Sequence, residues 1–260
     1  LRYFFDKALG KSRFFKPDVV ISVPAGITSV EERAVLKAAN SVGAKSITLL
    51  PEPLLAALGA QLPIHTSSGN MIVNMGGGTT EIAVMSLDGI VEYESLRVAG
   101  DSLNEAIISY MRKKKGIMIG EQTAENIKIK IGSAVEVKDP AQMEVRGRDV
   151  GAGMPKSIIV DSNDVAKAID FPLKSIIRSI KNVLEKTPPE LSADIIDRGM
   201  VMSGGTSELR NLDKLFSRAT GVPSHVADEP IYCVVKGTGI ALELIARGER
   251  TFTFNRDFRR

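Results

Sequence analysis

Gly76-Gly77-Gly78-Thr79-Thr80-Glu81 stands between two runs of strand-forming residues. Three successive glycines remove the Cβ atoms that keep a ligand off the backbone, so N–H groups there can approach an anion closely, and the hydroxyls of Thr79 and Thr80 add donors. That is the chemistry of a phosphate cradle; a flexible hairpin tip is the plainer alternative. The segment follows neither the GxxxxGK[ST] phosphate loop nor the dinucleotide fingerprint. A second glycine turn, Ser203-Gly204-Gly205-Thr206, again follows a strand and precedes a helix, where N–H groups can meet a ligand's polar atoms. Two such turns on one chain suggest a nucleotide held between two lobes, although either alone also reads as a tight connection. In Glu125-Asn126-Ile127-Lys128 a carboxylate and an ammonium share one helix face at i and i+3. The pair can grip a ribose and base or form a surface ion pair.

The elements that must position these residues alternate. Asp18 to Val23 is a β-branched run, and Thr28-Ser29-Val30-Glu31 is a capping box opening a helix through about Val42, closed by Gly43. Ser46 to Leu50 reads as a second strand, and Pro53 begins a helix to Gly59. Asn70 to Met75, Glu81 to Leu87 and Ile90 to Val98 read as strands, the last two joined by an Asp88-Gly89 hairpin. Helices are expected from Asp101 to about Lys114 and from Glu121 to Ile131. Lys138 to Pro155 reads as a small inserted subdomain. Ser162 or Asn163 caps a long helix toward Lys186, which Pro188-Pro189 stops. Met200 to Met202 is a strand, followed by a helix to Thr220 and a last helix from about Tyr232 to Arg247. The pattern is that of an α/β protein.

With 260 residues, 43% apolar and 25% charged, the composition is that of an ordinary globular chain and excludes disorder, collagen and coiled coil. A net charge of +3 names no nucleic-acid partner. Cys233 as the one cysteine permits no internal disulfide and points to a reducing compartment, and His65 and His225 leave no Cys/His metal cluster to assemble. The longest stretch without a charged residue, Pro53 to Thr80, is too polar to span a bilayer. The chain opens at Leu1 within an apparent amphipathic helix, the expectation for a fragment of a longer protein.

Val23-Pro24-Ala25-Gly26-Ile27-Thr28, Glu52-Pro53 with Ala56-Ala57, Gly76 to Glu81, Arg97-Val98-Ala99-Gly100-Asp101, Gly120 to Glu125, Thr187 to Leu191 and Arg198 through Gly205 together resemble the MreB family of bacterial actins, which determine rod cell shape. The resemblance covers roughly residues 1 to 245. It implies an α/β, actin-like ATPase fold, ribonuclease H-like lobes around a nucleotide cleft, with the first part of the N-terminal lobe missing. The implied division is 1–65 as the remainder of the first large subdomain, 66–118 and 156–228 as the second, 119–155 as a small inserted subdomain, and 229–260 as a helix returning to the first plus a tail.

The resemblance also implies roles. Gly77, Gly78 and Thr79 match the second phosphate loop; Glu125, Asn126, Ile127 and Lys128 match the ribose and purine contacts; Gly205, Thr206, Ser207 and Glu208 match the adenosine loop. Glu52 matches the catalytic glutamate, which orients the water attacking the γ-phosphate; otherwise it reads as a helix-start carboxylate. Phe14 and Phe15, set among Lys11, Arg13 and Lys16, fall at the family's membrane-inserting loop. The implied cofactors are ATP and Mg²⁺. Asn74 stands where the family has an aspartate, so the metal is expected to be held mainly through phosphates and water. Thr206 replaces a third glycine, Pro51 replaces an acidic residue, and the family's first phosphate loop has no counterpart.

The implied protein is a cytoplasmic filament former, peripheral on the inner face of the membrane, whose partners are copies of itself, the membrane surface and cell-wall elongation proteins. A non-hydrolysing scaffold that co-assembles with a complete homologue is the alternative. A small-molecule kinase of the same superfamily would need an acceptor pocket for which no motif is present. The tail's Phe252, Phe254 and Phe258 alternate with polar residues, the pattern of an edge strand or a partner-binding tail.

Overall fold

The structure is a computed structural model that describes residues 1–10 and 16–249; Phe14, Phe15 and the tail aromatics lie outside the described residues. A short helix α1 (Arg2–Leu9) precedes β1 (Asp18–Val23), α2 (Ser29–Ser41), β2 (Ser46–Pro51) and α3 (Glu52–Gly59). β1 and β2 pair in parallel, Asp18 opposite Ser46. The capping box forms as expected: Thr28 Oγ1 accepts from the Glu31 N–H, and Glu31 Oε2 accepts from the Thr28 N–H at 2.9 Å.

The main sheet is built from β3 (Asn70–Met75), β4 (Thr80–Ser86), β5 (Gly89–Leu96), β9 (Met200–Ser203) and β10 (Ser224–Val226), in the order β10-β9-β3-β4-β5. β3, β4 and β5 form an antiparallel meander, while β9 runs parallel to both β3 and β10. Both faces are covered. Met71, Val73, Met75, Ile82 and Val84 enter the larger core, whereas Ile72, Ala83 and Met85 point into a smaller one with Leu54 and Leu55 of α3. Burial on both faces explains why β3 reads as a nearly continuous apolar run. The turn leaving β4 lies one residue earlier than expected. Leu87 and Asp88 carry the positive φ angles of 52° and 60°, and Gly89 already pairs with Ser86.

The helix expected to reach Lys114 is α4 (Gly100–Tyr110) continued by one π-helical turn, Met111–Lys115, which Gly116 ends at φ +65°. β6 (Ile117–Met118) then joins β7 (Gln142–Asp149) and β8 (Pro155–Asp161) in a small sheet, with α5 (Glu121–Ile131) between. The cap of α6 (Ser162–Lys186) is Asp161, not Ser162 or Asn163: its carboxylate accepts from the Asp164 N–H at 2.9 Å. Pro188-Pro189 ends α6 but also starts α7 (Pro189–Arg198), because proline at a first helical position lacks only an N–H that would be unpaired anyway. After β9 the chain makes a single 3₁₀ turn, Gly205–Glu208, before α8 (Leu212–Thr220).

α9 (Cys233–Ala246) returns to α3 at glycine contacts. A Cβ on Gly59 would lie 1.8 Å from the Cys233 carbonyl oxygen, and one on Gly237 1.8 Å from that of Leu55. The two backbones therefore touch, and no side chain fits between them.

Candidate functional site

The two glycine turns meet. β3 and β4 present Gly76 to Gly78 at one end of the sheet, and β9, parallel to β3, delivers Gly204 to Thr206 beside them. Thr206 Oγ1 donates to the Gly76 carbonyl at 2.8 Å, and the Gly100 N–H donates to the same oxygen at 3.2 Å. The Asp101 N–H donates to the Gly77 carbonyl at 2.8 Å. These bonds occupy the carbonyls and leave the N–H groups of Gly77 and Gly78 with no acceptor among the described residues. Side chains would close this space. A Cβ on Gly100 would sit 2.9 Å from Thr206 Oγ1 and 3.3 Å from Lys128 Nζ, and Gly204, at φ +81°, is 2.2 Å by the same measure from the Met75 carbonyl.

A cavity of about 480 Å³ opens here, within the range of small-molecule sites. Six of the expected residues line it: Gly77, Glu125, Lys128, Gly205, Thr206 and Glu208. Others do not. The Ile127 side chain is buried in the main core, Asn126 faces solvent, and Ser207 is buried with its hydroxyl donating to the Gly204 carbonyl at 2.6 Å. Gly78 lies beside the Asp101 carboxylate, while Thr79 lines a separate cavity of about 930 Å³ with Gly26 and Arg97.

Glu125 and Lys128 form more than a surface ion pair. Lys128 Nζ donates to Glu125 Oε2 at 2.8 Å and to the Gly100 carbonyl at 3.1 Å, and Asn104 Nδ2 donates to the same Glu125 oxygen. Desolvation pushes the Glu125 carboxyl upward, but the Lys128 and Asn104 hydrogen bonds and the Lys128 charge outweigh it and hold it below its usual value. Glu125 is therefore an anion whose first oxygen is already engaged.

Glu52, the first residue of α3, lines neither cavity, and burial raises its carboxyl above the usual range. Its charge reaches Glu81 on β4. Glu81 is also raised by burial, partly offset by hydrogen bonds from Ser95 Oγ and the Ala25 N–H. Asn74, opposite Glu81 in the β3–β4 ladder, is buried, and its Oδ1 accepts from Ser203 Oγ at 3.0 Å. The amide thus ties β3 to β9.

Asp101, Gly100 and Arg210 also line the cavity, and Asn104 stands behind it; none was singled out from sequence as a site residue. The available signal was Asp101 and Asn104 at i and i+3 beside the apolar Leu103 and Ile107, a polar face on a helix otherwise bound for the core. Arg210 donates to the Gly132 carbonyl at 2.8 Å and so fixes the end of α5.

The residues suit a nucleotide: unpaired N–H groups for phosphate, a carboxylate for sugar hydroxyls, and glycines where side chains would intrude. Among the described residues there is no group of three His, Cys, Asp or Glu that could hold a metal ion.

The model of the MreB/Mbl protein family matches residues 1–250. The cell shape-determining protein MreB of Pasteurella multocida is 47% identical over 249 residues, covering 94% of this chain and 71% of that protein. Crystal structures of MreB5 of Spiroplasma citri, one bound to AMPPNP and one to ADP, superpose with TM-scores of 0.91 and 0.90 at 32% identity; each alignment covers 95% of this chain and 74% of the other. The expected actin-like α/β fold is thereby found, and the chain belongs to the MreB/Mbl family of cell shape-determining proteins.

Proposed function

We propose that this chain binds ATP in the cavity between its two glycine turns and assembles with copies of itself into nucleotide-dependent filaments on the inner face of the membrane. The observation that carries the reading is the Thr206–Gly76 bond. It joins the two turns at the cavity that Glu125 and Lys128 also line. The binding of AMPPNP and ADP by the Spiroplasma relative supports the ligand class. Family membership supports assembly and the work in cell shape.

In this reading the Gly77 and Gly78 N–H groups bind phosphate oxygens, Glu125 accepts from the sugar, and Gly205, Thr206 and Glu208 border the base. Glu52 positions the attacking water. A bound Mg²⁺ would supply charge neutralisation at the phosphates. The large lobes correspond to 1–65 and to 66–118 with 156–228, the small inserted subdomain to 119–155, and 229–260 to a helix returning to the first lobe plus a tail. Phe14 and Phe15 are the proposed membrane contact, and cell-wall elongation proteins the further partners.

One observation favours a second reading. Asn74 lacks the negative charge of a carboxylate, and its oxygen is spent on Ser203, so a non-hydrolysing scaffold that co-assembles with a complete homologue fits the same fold. Sedimentation and phosphate release, measured on one preparation with Mg²⁺, ATP and anionic vesicles, separate the two. Assembly with release supports the first, assembly without release supports the scaffold, and neither overturns both.

A further inference from the structure

The carboxylate that faces the cavity is aimed from behind. Glu125 Oε2 receives two donors from different directions: Lys128 Nζ, one turn along α5, and Asn104 Nδ2, on α4, at 2.5 Å. Oε1 accepts no hydrogen bond among the described residues, and Glu125 lines the cavity. A lysine is a compact charge on a flexible stem and by itself leaves the carboxylate free to turn. A second donor on a separate helix removes that freedom.

Asn104 is 8% exposed, and its Oδ1 is buried without a hydrogen-bond partner among the described residues. Burying half of an amide unsatisfied is unfavourable, and such groups in native proteins call for a functional explanation. Its neighbours Leu103 and Ile107 are fully buried, so an apolar residue would suit stability better there. Among the described residues its side chain makes one hydrogen bond, to Glu125.

We infer that Asn104 is a positioning residue: it fixes Glu125 so that Oε1 meets a sugar hydroxyl, and thereby sets a preference for ribonucleotides over nucleotides lacking those hydroxyls. The inference rests on the nucleotide reading of the cavity. A site that hydrogen-bonds a substrate hydroxyl rejects the analogue without it, but only when its acceptor is held in place.

The test is calorimetric titration of the chain with ATP and with 2′,3′-dideoxy-ATP, both with Mg²⁺. Wild type is expected to prefer ATP by roughly tenfold or more. Asn104→Leu, close in size, and Asn104→Ala, which introduces no clash, both bring the preference close to one by weakening ATP, with dideoxy-ATP changed by no more than about twofold. In a Glu125→Ala background Asn104→Leu changes the ratio no further, which a merely structural role would not produce. A wild-type preference kept in either Asn104 variant overturns the inference. Equal binding of both nucleotides by wild type overturns it while leaving the nucleotide reading intact. Binding of neither overturns the nucleotide reading, and this inference with it.

Discussion

Glu81 on β4 accepts a hydrogen bond from the backbone N–H of Ala25, 3.1 Å away in the loop after β1, while its other oxygen accepts from Ser95 Oγ on β5. One buried carboxylate thus joins the two-stranded β1–β2 unit to the meander beside the glycine turn. Removing it leaves the Ala25 N–H unpaired. Glu81→Ala is expected to lower unfolding stability by about 2–3 kcal/mol. Glu81→Gln keeps an acceptor and escapes the desolvation that raises the native carboxyl, so it should cost less than half as much. Urea denaturation of the two variants checks both the size and the order.

Glu52 answers two questions with one substitution. If it positions the attacking water, Glu52→Gln slows phosphate release by about 10²-fold with ATP binding retained. Equal release in wild type and variant would remove it from that role. Its carboxyl is raised by burial, so the fold favours the protonated form. Wild type is therefore most stabilised by this group below its ordinary value of 4.5, and loses that contribution as pH rises through the raised value. The variant should melt higher than wild type at pH 7, and the gap should narrow as pH falls toward 4.5.

Gly100 tests the cradle. A methyl group there meets Thr206 Oγ1 at 2.9 Å and the Gly76 carbonyl at 3.3 Å, so Gly100→Ala displaces the Thr206 hydroxyl that joins the two glycine turns. The expected result is a loss of nucleotide affinity of about tenfold or more, equivalent to about 1.4 kcal/mol. Gly120→Ala meets nothing within 4 Å and should leave affinity unchanged. Titration calorimetry on the pair distinguishes a filled cradle from a general effect of replacing glycine.

Asp149, at the β7–β8 turn, accepts from the Lys156 ammonium and from the Ala152 and Gly151 N–H groups, which together hold its carboxyl down at about 2. A depressed acid contributes stability above its unfolded value of 3.8 and loses it as pH falls through about 2. Carbon-13 titration of the side-chain carboxyl should give a midpoint near 2, and Lys156→Met should raise it.

Much of this fold was legible because local chemistry and tertiary environment agree. The run from Asn70 to Met75, the capping box at Thr28 and the two glycine turns carry their meaning within a few residues. Pro188-Pro189 was legible only by half, since a proline pair marks the end of one helix and the start of the next equally well. The cap of α6 lies one or two residues before the expected Ser162 or Asn163, because Asp161, Ser162 and Asn163 are all good caps and geometry alone chooses between them. In the site, Glu125 and Lys128 advertise themselves by charge and spacing. Ile127, between them in sequence, turns into the core by helical periodicity. Asn104 is 21 residues from Glu125, and only the packing of α4 on α5 brings them together.

The bare contact between α3 and α9 sets the stiffness of the molecule at its C-terminal end. Side chains between two helices can change rotamer as the helices shift, which backbone atoms in direct contact cannot do. Gly59 and Gly237 leave no such layer, and α3 is only about 12 Å long. The two helices therefore share one rigid contact, and Glu52 stands at the opposite end of α3 from Gly59.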